Sequence, residues 1–231
     1  IPITLPFKRP GGGLALSDPY HALSQGKVMF VGQPLAIVVA SSRGQALHAA
    51  ECLEIDYEEF PAVTDLLEAT RIGAPKLCGD LTDNIAAYET LGNQEEVEKI
   101  FLNAHHVTRM ELINNRLVGT PLEPRGLNCY RDPEDGTLIL HASHQSVTRL
   151  HSALCSIFKF QPEQLRVKVG DVGGGFGTKV AIYPEDVLVV YAAKKLNIPI
   201  KWTATRTEEF QASVHSRNHK NIAEMACDHE G

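Results

Sequence analysis

The sequence contains no Cys-x-x-Cys pair, no long apolar run and no block of positive charge. Its five cysteines, Cys52, Cys78, Cys129, Cys155 and Cys227, are dispersed and odd in number. That pattern spells neither an iron–sulfur cluster nor a zinc site, and it suits a reducing, cytoplasmic setting. Ten histidines invite a metal, but His105-His106 and His141 with His144 have no carboxylate or cysteine companion at ligand spacing. They read as solvated or core-edge residues, and no metal ligand is assigned. The longest apolar stretches, around Leu35–Ala40 and Val187–Ala193, fall far short of the ~20 residues of a membrane-spanning helix. No signal peptide is visible, and the chain starts at Ile1 rather than Met. With a formal net charge of −6 and no basic run longer than Lys194-Lys195, nucleic acid and anionic membranes are poor partners. A small molecule or another protein remains.

What is present is 231 residues with 43% hydrophobic content, enough for a sizeable core in one large domain or two small ones. Glycine is concentrated in Gly170-Asp-Val-Gly-Gly-Gly-Phe-Gly-Thr-Lys179, where five of ten residues lack a side chain and Phe176 is the only bulk. Such a run can turn sharply and bring backbone N–H groups against a ligand that side chains would keep away. Two nucleotide motifs fail letter by letter. Gly173-x-Gly175-x-x-Thr178 lacks the third glycine of a dinucleotide fingerprint, and Lys179 is followed by Val180 where a phosphate loop needs Ser or Thr. A plain sheet-edge turn accounts for one or two glycines but not for this run, so the loop is expected to bind a ligand.

Along the chain, residues 1–25 are rich in Pro and Gly and read as an extended lead-in. Lys27–Val31, Leu35–Ala40 and Glu54–Glu58 are predicted as strands, with a helix capped by Ser41 or Ser42 before the last of them. Periodicity is lost from Ala62 to Gly92, which marks a connection between lobes. Asn93 with Glu96 predicts a capping box and a short helix buried on Val97, Ile100 and Phe101, followed by a half-buried strand at His106–Ile113. Pro121-Leu-Glu-Pro-Arg125 is rigid by composition, and Glu123 between its prolines is expected to fix local structure. Gly126–Tyr130 and Thr137–Ala142 predict a hairpin turned at Asp132–Gly136, with Leu138–Leu140 central in its sheet. The hairpin ends just before Gln145, and a helix follows Ser146. Leu165–Val169 alternates as a strand into the glycine loop, and a helix from Pro184 is expected to bury Val187, Leu188, Tyr191, Ala192 and Leu196. A strand at Ile198–Trp202, a capping box at Thr205 with Glu208 and a long strand from Asn218 to Asp228 close the chain. That last strand and its turn lack a returning partner, which suggests a piece cut from a longer chain.

Val31-Gly-Gln-Pro34, Leu122-Glu-Pro-Arg-Gly126, Ser143-His-Gln145 and Asp171–Lys179, in that order, resemble the xanthine dehydrogenase and aldehyde oxidase family of molybdenum hydroxylases. The resemblance implies an α+β fold with mixed sheets and packed helices. Residues 1–63 would be the C-terminal part of an α/β hammerhead domain, 64–92 a linker, and 93–231 the N-terminal part of a molybdopterin-binding domain. It implies that Gln145 hydrogen-bonds a molybdenum ligand and that the backbone at Gly174, Gly175, Phe176 and Gly177 lines the metal and its pterin. The family's Gly-Lys-Glu, whose glutamate contacts purines, is replaced by Thr178-Lys-Val180. Lys179-Val-Ala-Ile-Tyr-Pro184 is closer to the large chain of the aerobic carbon monoxide dehydrogenase branch. The implied protein is a cytoplasmic oxidoreductase that hydroxylates a small molecule with water-derived oxygen at a molybdenum–molybdopterin group, in the cytosine dinucleotide form. Electrons would pass to iron–sulfur and FAD-bearing subunits in a homodimerised heterotrimer. The family's general base falls beyond Gly231, so no catalytic residue is assigned and these residues alone would be inactive. Two rival readings are a nucleotide- or phosphate-binding enzyme using the glycine loop and a non-catalytic assembly module.

Overall fold

The computed structural model describes residues 20–77 and 83–231. They form two compact units, one holding 20–60 with 118–215 and the other the described residues of 61–117 with 216–231. The expected lead-in lies mostly outside the described residues, as does Cys78. The elements are helices α1 (Arg43–Glu51), α2 (Gln94–Asn103), α3 (Val147–Phe158), α4 (Pro184–Leu196) and α5 (Arg206–Ala212), with eight strands. The strands are β1 (His106–Asn114), β2 (Leu117–Val118), β3 (Gly126–Arg131), β4 (Leu138–Ala142), β5 (Leu165–Lys168), β6 (Ile200–Thr203), β7 (His215–Ser216) and β8 (His219–Cys227). No helix among the described residues is long and apolar enough to cross a membrane.

The first unit is built on a four-stranded mixed sheet in the order β5-β4-β3-β6, where β4 and β5 run parallel and the other neighbours antiparallel. The β3–β4 hairpin closes where expected. Asp132 donates its N–H to Thr137 O at 2.8 Å, and Gly136 takes the positive φ of 75° the turn requires. A parallel neighbour cannot be reached by a tight turn, so α3 carries the chain from β4 to β5. Leu127, Cys129, Leu138, Leu140, Leu165 and Ile200 from the sheet close with Leu150 and Leu154 of α3 and Val187, Val190 and Ala193 of α4 into one core. Burial pushes the Cys129 thiol up to about 12, so it stays a neutral apolar filler. Helix α4 faces inward on Val187, Val189, Val190, Ala192 and Ala193, whereas Tyr191 and Leu196, expected inside, are 45% and 48% exposed.

Several expected strands in residues 20–60 are not formed. Residues 27–31, 35–40 and 54–58 run without ladder partners among the described residues, and Val31, Ile37 and Ile55 are exposed. β-propensity favours an extended backbone but supplies no second strand to pair with it. What forms instead is a turn in which Gln33 Oε1 accepts the Met29 N–H at 2.7 Å and Gly32 holds a φ of 98°. The α1 cap is as expected, Ser42 Oγ accepting from Gln45 N.

In the second unit, α2 is capped by Asn93, whose side chain accepts from Glu96 N and donates to the Glu96 carboxylate. Its apolar stripe is not buried, with Val97 49% and Ile100 56% exposed. Strand β1 is likewise exposed along its length rather than half-buried, because no layer of described residues covers it. Strand β8 does have a partner: it pairs antiparallel with β1 from His106↔Cys227 to Asn114↔His219.

Candidate functional site

Two strand ends in the first unit carry the site. β5 runs into the glycine loop, which ends in a short 3-10 turn at Thr178–Val180 before α4, and β4 ends just before Ser143-His144-Gln145. The loop turns through positive φ at Gly174 (94°), Phe176 (48°) and Gly177 (86°). A left-handed Phe is costly for an L-residue and persists only where its surroundings hold it. Phe176 is nonetheless 76% exposed, so its ring is presented rather than packed away.

Gln145 and the loop are brought together as expected. The Gln145 N–H donates to Lys179 O at 2.8 Å, and its side-chain Oε1 accepts from Gly177 N and Lys179 N, both at 3.1 Å. The amide therefore does not cap α3. At that helix start His144 Nδ1 accepts from Ser146 N, while His144 Nε2–H meets Ala181 O at 3.2 Å. Burial holds the His144 ring below its ordinary pKa, and both nitrogens are used in the neutral form. The approach of Gln145 explains Gly175, since a Cβ there would lie 2.5 Å from Gln145 Cδ. At Gly173 a Cβ would meet Glu123 Cβ at 2.6 Å. These glycines are demanded by close contact as well as by turning.

Donors remain on this surface. Gln145 Nε2 and the backbone N–H groups of Gly175 and Phe176 bond to no acceptor among the described residues, although the neighbouring Gly173, Gly174, Gly177 and Thr178 amides are all bonded. Because Oε1 is held by two backbone amides, the orientation of the Gln145 side chain is fixed and its NH2 is what faces outward.

Behind the loop lie polar residues that the sequence pattern did not single out. Lys179 is 1% exposed, and its Nζ pairs with Glu123 Oε2 at 2.8 Å. Tyr183 donates its hydroxyl to Thr178 O at 2.6 Å and accepts from Val214 N. The Tyr183 ring lies 3.8 Å from the Arg125 guanidinium, which binds Glu185 through both terminal nitrogens and Glu209 through Nε. Asp186, buried beside them, has its carboxyl pushed up to about 7 by desolvation while accepting the Tyr183 N–H. A lysine inside the apolar run Thr178–Ile182, with no solvent-facing partner at helical or strand spacing, was the one available signal for a buried cation. Arg125 gave none. Glu123, expected to fix local structure, does so: Gly173 N, Ser143 Oγ and Lys179 Nζ all meet its Oε2.

Known proteins are similar to this chain in sequence and fold. Residues 79–231 match the family of the molybdopterin cofactor-binding domain. The chain is 32% identical over 221 residues to subunit gamma of the 6-hydroxypseudooxynicotine dehydrogenase complex of Paenarthrobacter nicotinovorans, covering 92% of this chain and 26% of that one. It is 28% identical over 226 residues to the carbon monoxide dehydrogenase large chain of Hydrogenophaga pseudoflava, covering 93% and 28%. Among solved structures, quinoline 2-oxidoreductase from Pseudomonas putida 86 superposes with a TM-score of 0.84 at 28% identity, over 98% of this chain and 28% of the other. The chain thus spans about a quarter of the length of the curated relatives it matches. The mixed sheet, the glycine loop at its strand end and these matches agree, and the chain belongs to the molybdopterin cofactor-binding family of the molybdenum hydroxylases.

Proposed function

We propose that the complete protein is the molybdenum-binding large subunit of a hydroxylase-type dehydrogenase, in which the 170–179 loop and Gln145 form one wall of the cofactor site. The observation that carries this reading is the set of unbonded neutral donors, Gln145 Nε2, Gly175 N and Phe176 N, on a loop stripped of Cβ atoms. They fit the group well: backbone and amide donors hold an oxo ligand or a pterin edge in fixed geometry without adding a charge. When bound, the molybdenum–pterin group supplies a two-electron oxidation that places water-derived oxygen on a substrate carbon. Gln145 orients a ligand of the metal through Nε2, the Gly174–Gly177 backbone supplies donors, and Phe176 shields the site from water. A phosphate-binding reading lacks its cation, because Lys179 lies behind the loop and is committed to Glu123.

Within the same reading, residues 1–63 belong to an α/β hammerhead domain, 64–92 to a linker and 93–231 to the start of the molybdopterin-binding domain. Val180 in place of a glutamate disfavours purines, leaving carbon monoxide, aldehydes and N-heterocycles. The cofactor is the cytosine dinucleotide form. Partners are iron–sulfur and flavin subunits in a cytoplasmic, homodimerised heterotrimer, a reading supported by relatives that are named as a subunit gamma and a large chain.

The complete complex, purified from a host that makes the cofactor, contains molybdenum and pterin. Gln145→Glu keeps an oxygen for the Gly177 and Lys179 amides but removes the outward NH2, so turnover falls on the order of 10²-fold while thermal unfolding is unchanged. An unaltered rate, or absence of metal and pterin from the wild-type complex, overturns the reading. So does micromolar binding of ATP or NAD to this chain.

A further inference from the structure

The glycine loop is tied at both ends, by different means. At its far end Gln145 Oε1 holds the Gly177 and Lys179 amides, as described. At its near end the Glu123 carboxylate, on Oε2 alone, accepts Gly173 N at 2.6 Å, Lys179 Nζ at 2.8 Å and Ser143 Oγ at 2.9 Å. The Glu123 N–H in turn donates to Gly173 O at 3.3 Å. Lys179 ends the loop yet reaches back to the residue that holds its start, so the ion pair closes residues 173–179 into a ring through Glu123. The two partners are unequal in environment. The Lys179 side chain is fully buried, whereas Glu123 is 39% exposed. Lys179 Nζ has no other acceptor among the described residues, so this carboxylate is the one partner that holds it there. Desolvation works against the charged form of Glu123, but bonds from Lys179, Gly173 and Ser143 more than offset it and hold the carboxyl below its usual range.

We propose that Glu123 and Lys179 are positioning residues of the cofactor site: their ion pair, closed over the Gly173 amide and the Ser143 hydroxyl, sets the loop in its ligand-accepting shape before the cofactor arrives. The pair does not touch the cofactor in this account. It acts through the backbone of residues 173–177, whose free amides at Gly175 and Phe176 are aimed only as well as the ends of the loop are fixed. The inference rests on the reading of this loop as a cofactor wall.

The unequal burial gives the proposal a distinctive signature. Glu123→Gln keeps an oxygen for Gly173 and Ser143 but leaves the Lys179 ammonium buried without a counter-charge, which a protein interior does not tolerate. Lys179→Met keeps the apolar stem and leaves a carboxylate that water can reach. The complete enzyme is made as wild type, E123Q, K179M and the double variant, and molybdenum and pterin content per protein are measured. Amide hydrogen exchange at Gly173, Gly177 and Lys179 is followed in the cofactor-free form. E123Q loses cofactor content about tenfold, the scale seen when a residue that orients ligands is removed. K179M loses less, and the double variant recovers much of what E123Q lost. In cofactor-free E123Q, exchange accelerates at Gly177 and Lys179 as well as at Gly173, because the far end is released too. Wild-type cofactor content in E123Q, acceleration confined to Gly173, or a double variant no better than E123Q overturns the proposal. If E123Q fails to accumulate as folded protein, a K179M enzyme with wild-type exchange and cofactor content overturns it alone. A wild-type enzyme lacking molybdenum and pterin sinks the cofactor assignment instead, while the exchange comparison still judges the clamp.

Discussion

Two arginines in this chain each hold two glutamates, in opposite surroundings. Arg125 in the first unit binds Glu185 and Glu209 with side chains 6%, 13% and 3% exposed, under the faces of Tyr183 and Trp202. Arg109 in the β1–β8 ribbon binds Glu111 and Glu224 with side chains 50%, 47% and 44% exposed. The bond lengths are alike, between 3.0 and 3.3 Å for all five guanidinium contacts. What differs is the medium. Water competes for the exposed trio and screens it, whereas the buried trio is shut off from water and fails as a unit if one member is lost. The lesson is that the buried cluster holds parts of the chain together: its members lie 60 and 84 residues apart, joining the start of β3 to α4 and α5. The ribbon arginine joins strands that the backbone ladder already joins.

The largest expected effect tests the buried side of the comparison. Arg125→Met keeps much of the bulk over Tyr183 but strands Glu185 and Glu209, and loss of one partner from such a cluster costs about 3–5 kcal/mol. Denaturant unfolding of the complete protein, with amide exchange resolved in residues 126–131 and 200–203, reads it out. Protection in the β1–β8 ribbon should not change. A loss below ~1 kcal/mol would mean the cluster behaves like a surface pair.

Asp186 sharpens the same contrast, because it is a buried carboxyl without an ion-pair partner among the described residues. Burial, opposed by the Tyr183 N–H bond and with Glu185 nearby, raises its folded-state value from 3.8 to about 7. The folded chain therefore binds more protons than the unfolded chain between those values, and the contribution of Asp186 to stability falls as pH rises from about 4 to 7 and then levels off. Asp186→Asn keeps an oxygen for the Tyr183 amide and removes the titration. Its stability relative to wild type is expected to climb across that window. A difference constant from pH 4 to 8 would show that the carboxyl titrates normally.

Local signals in the sequence carried much of the first unit. The β3–β4 turn, the helix from Pro184 and the Thr205–Glu208 box are all written in neighbouring residues, and so were legible. Gln145 and the glycine loop could be brought together only by the family resemblance, since no spacing rule connects residues 32 apart on two strand ends. The clusters behind the loop were not legible for the same reason. Arg125 finds its glutamates through the tertiary fold, and although the apolar run around Lys179 hints at a buried cation, nothing in it names Glu123 as the partner. The misread strands at 27–31 and 35–40 show the converse failure. Apolar, β-branched runs met the local requirement, but a ladder needs a partner, and none is present among the described residues. In α2 and β1 the periodicity correctly gave the elements and wrongly gave burial, because a stripe says which face would be covered and not whether anything covers it.

The smallest effect belongs to the ribbon. Arg109→Ala removes contacts of 3.1 Å to Glu111 and 3.0 Å to Glu224, yet all three side chains are open to solvent, and Glu111 keeps Lys220 at 2.7 Å. Hydrogen bonds donated to Glu111 and Glu224 raise the arginine's proton affinity, but an arginine is protonated at any working pH, so that shift adds no pH dependence. The nine paired positions between His106 and Asn114 persist without the side chain. Amide exchange in β1 and β8 should be indistinguishable from wild type at physiological salt, with any slight loss of protection appearing only at low ionic strength, where screening is weakest. Clear loss at high salt would show that the exposed trio holds the ribbon, and that exposure is not what separates it from the trio around Arg125.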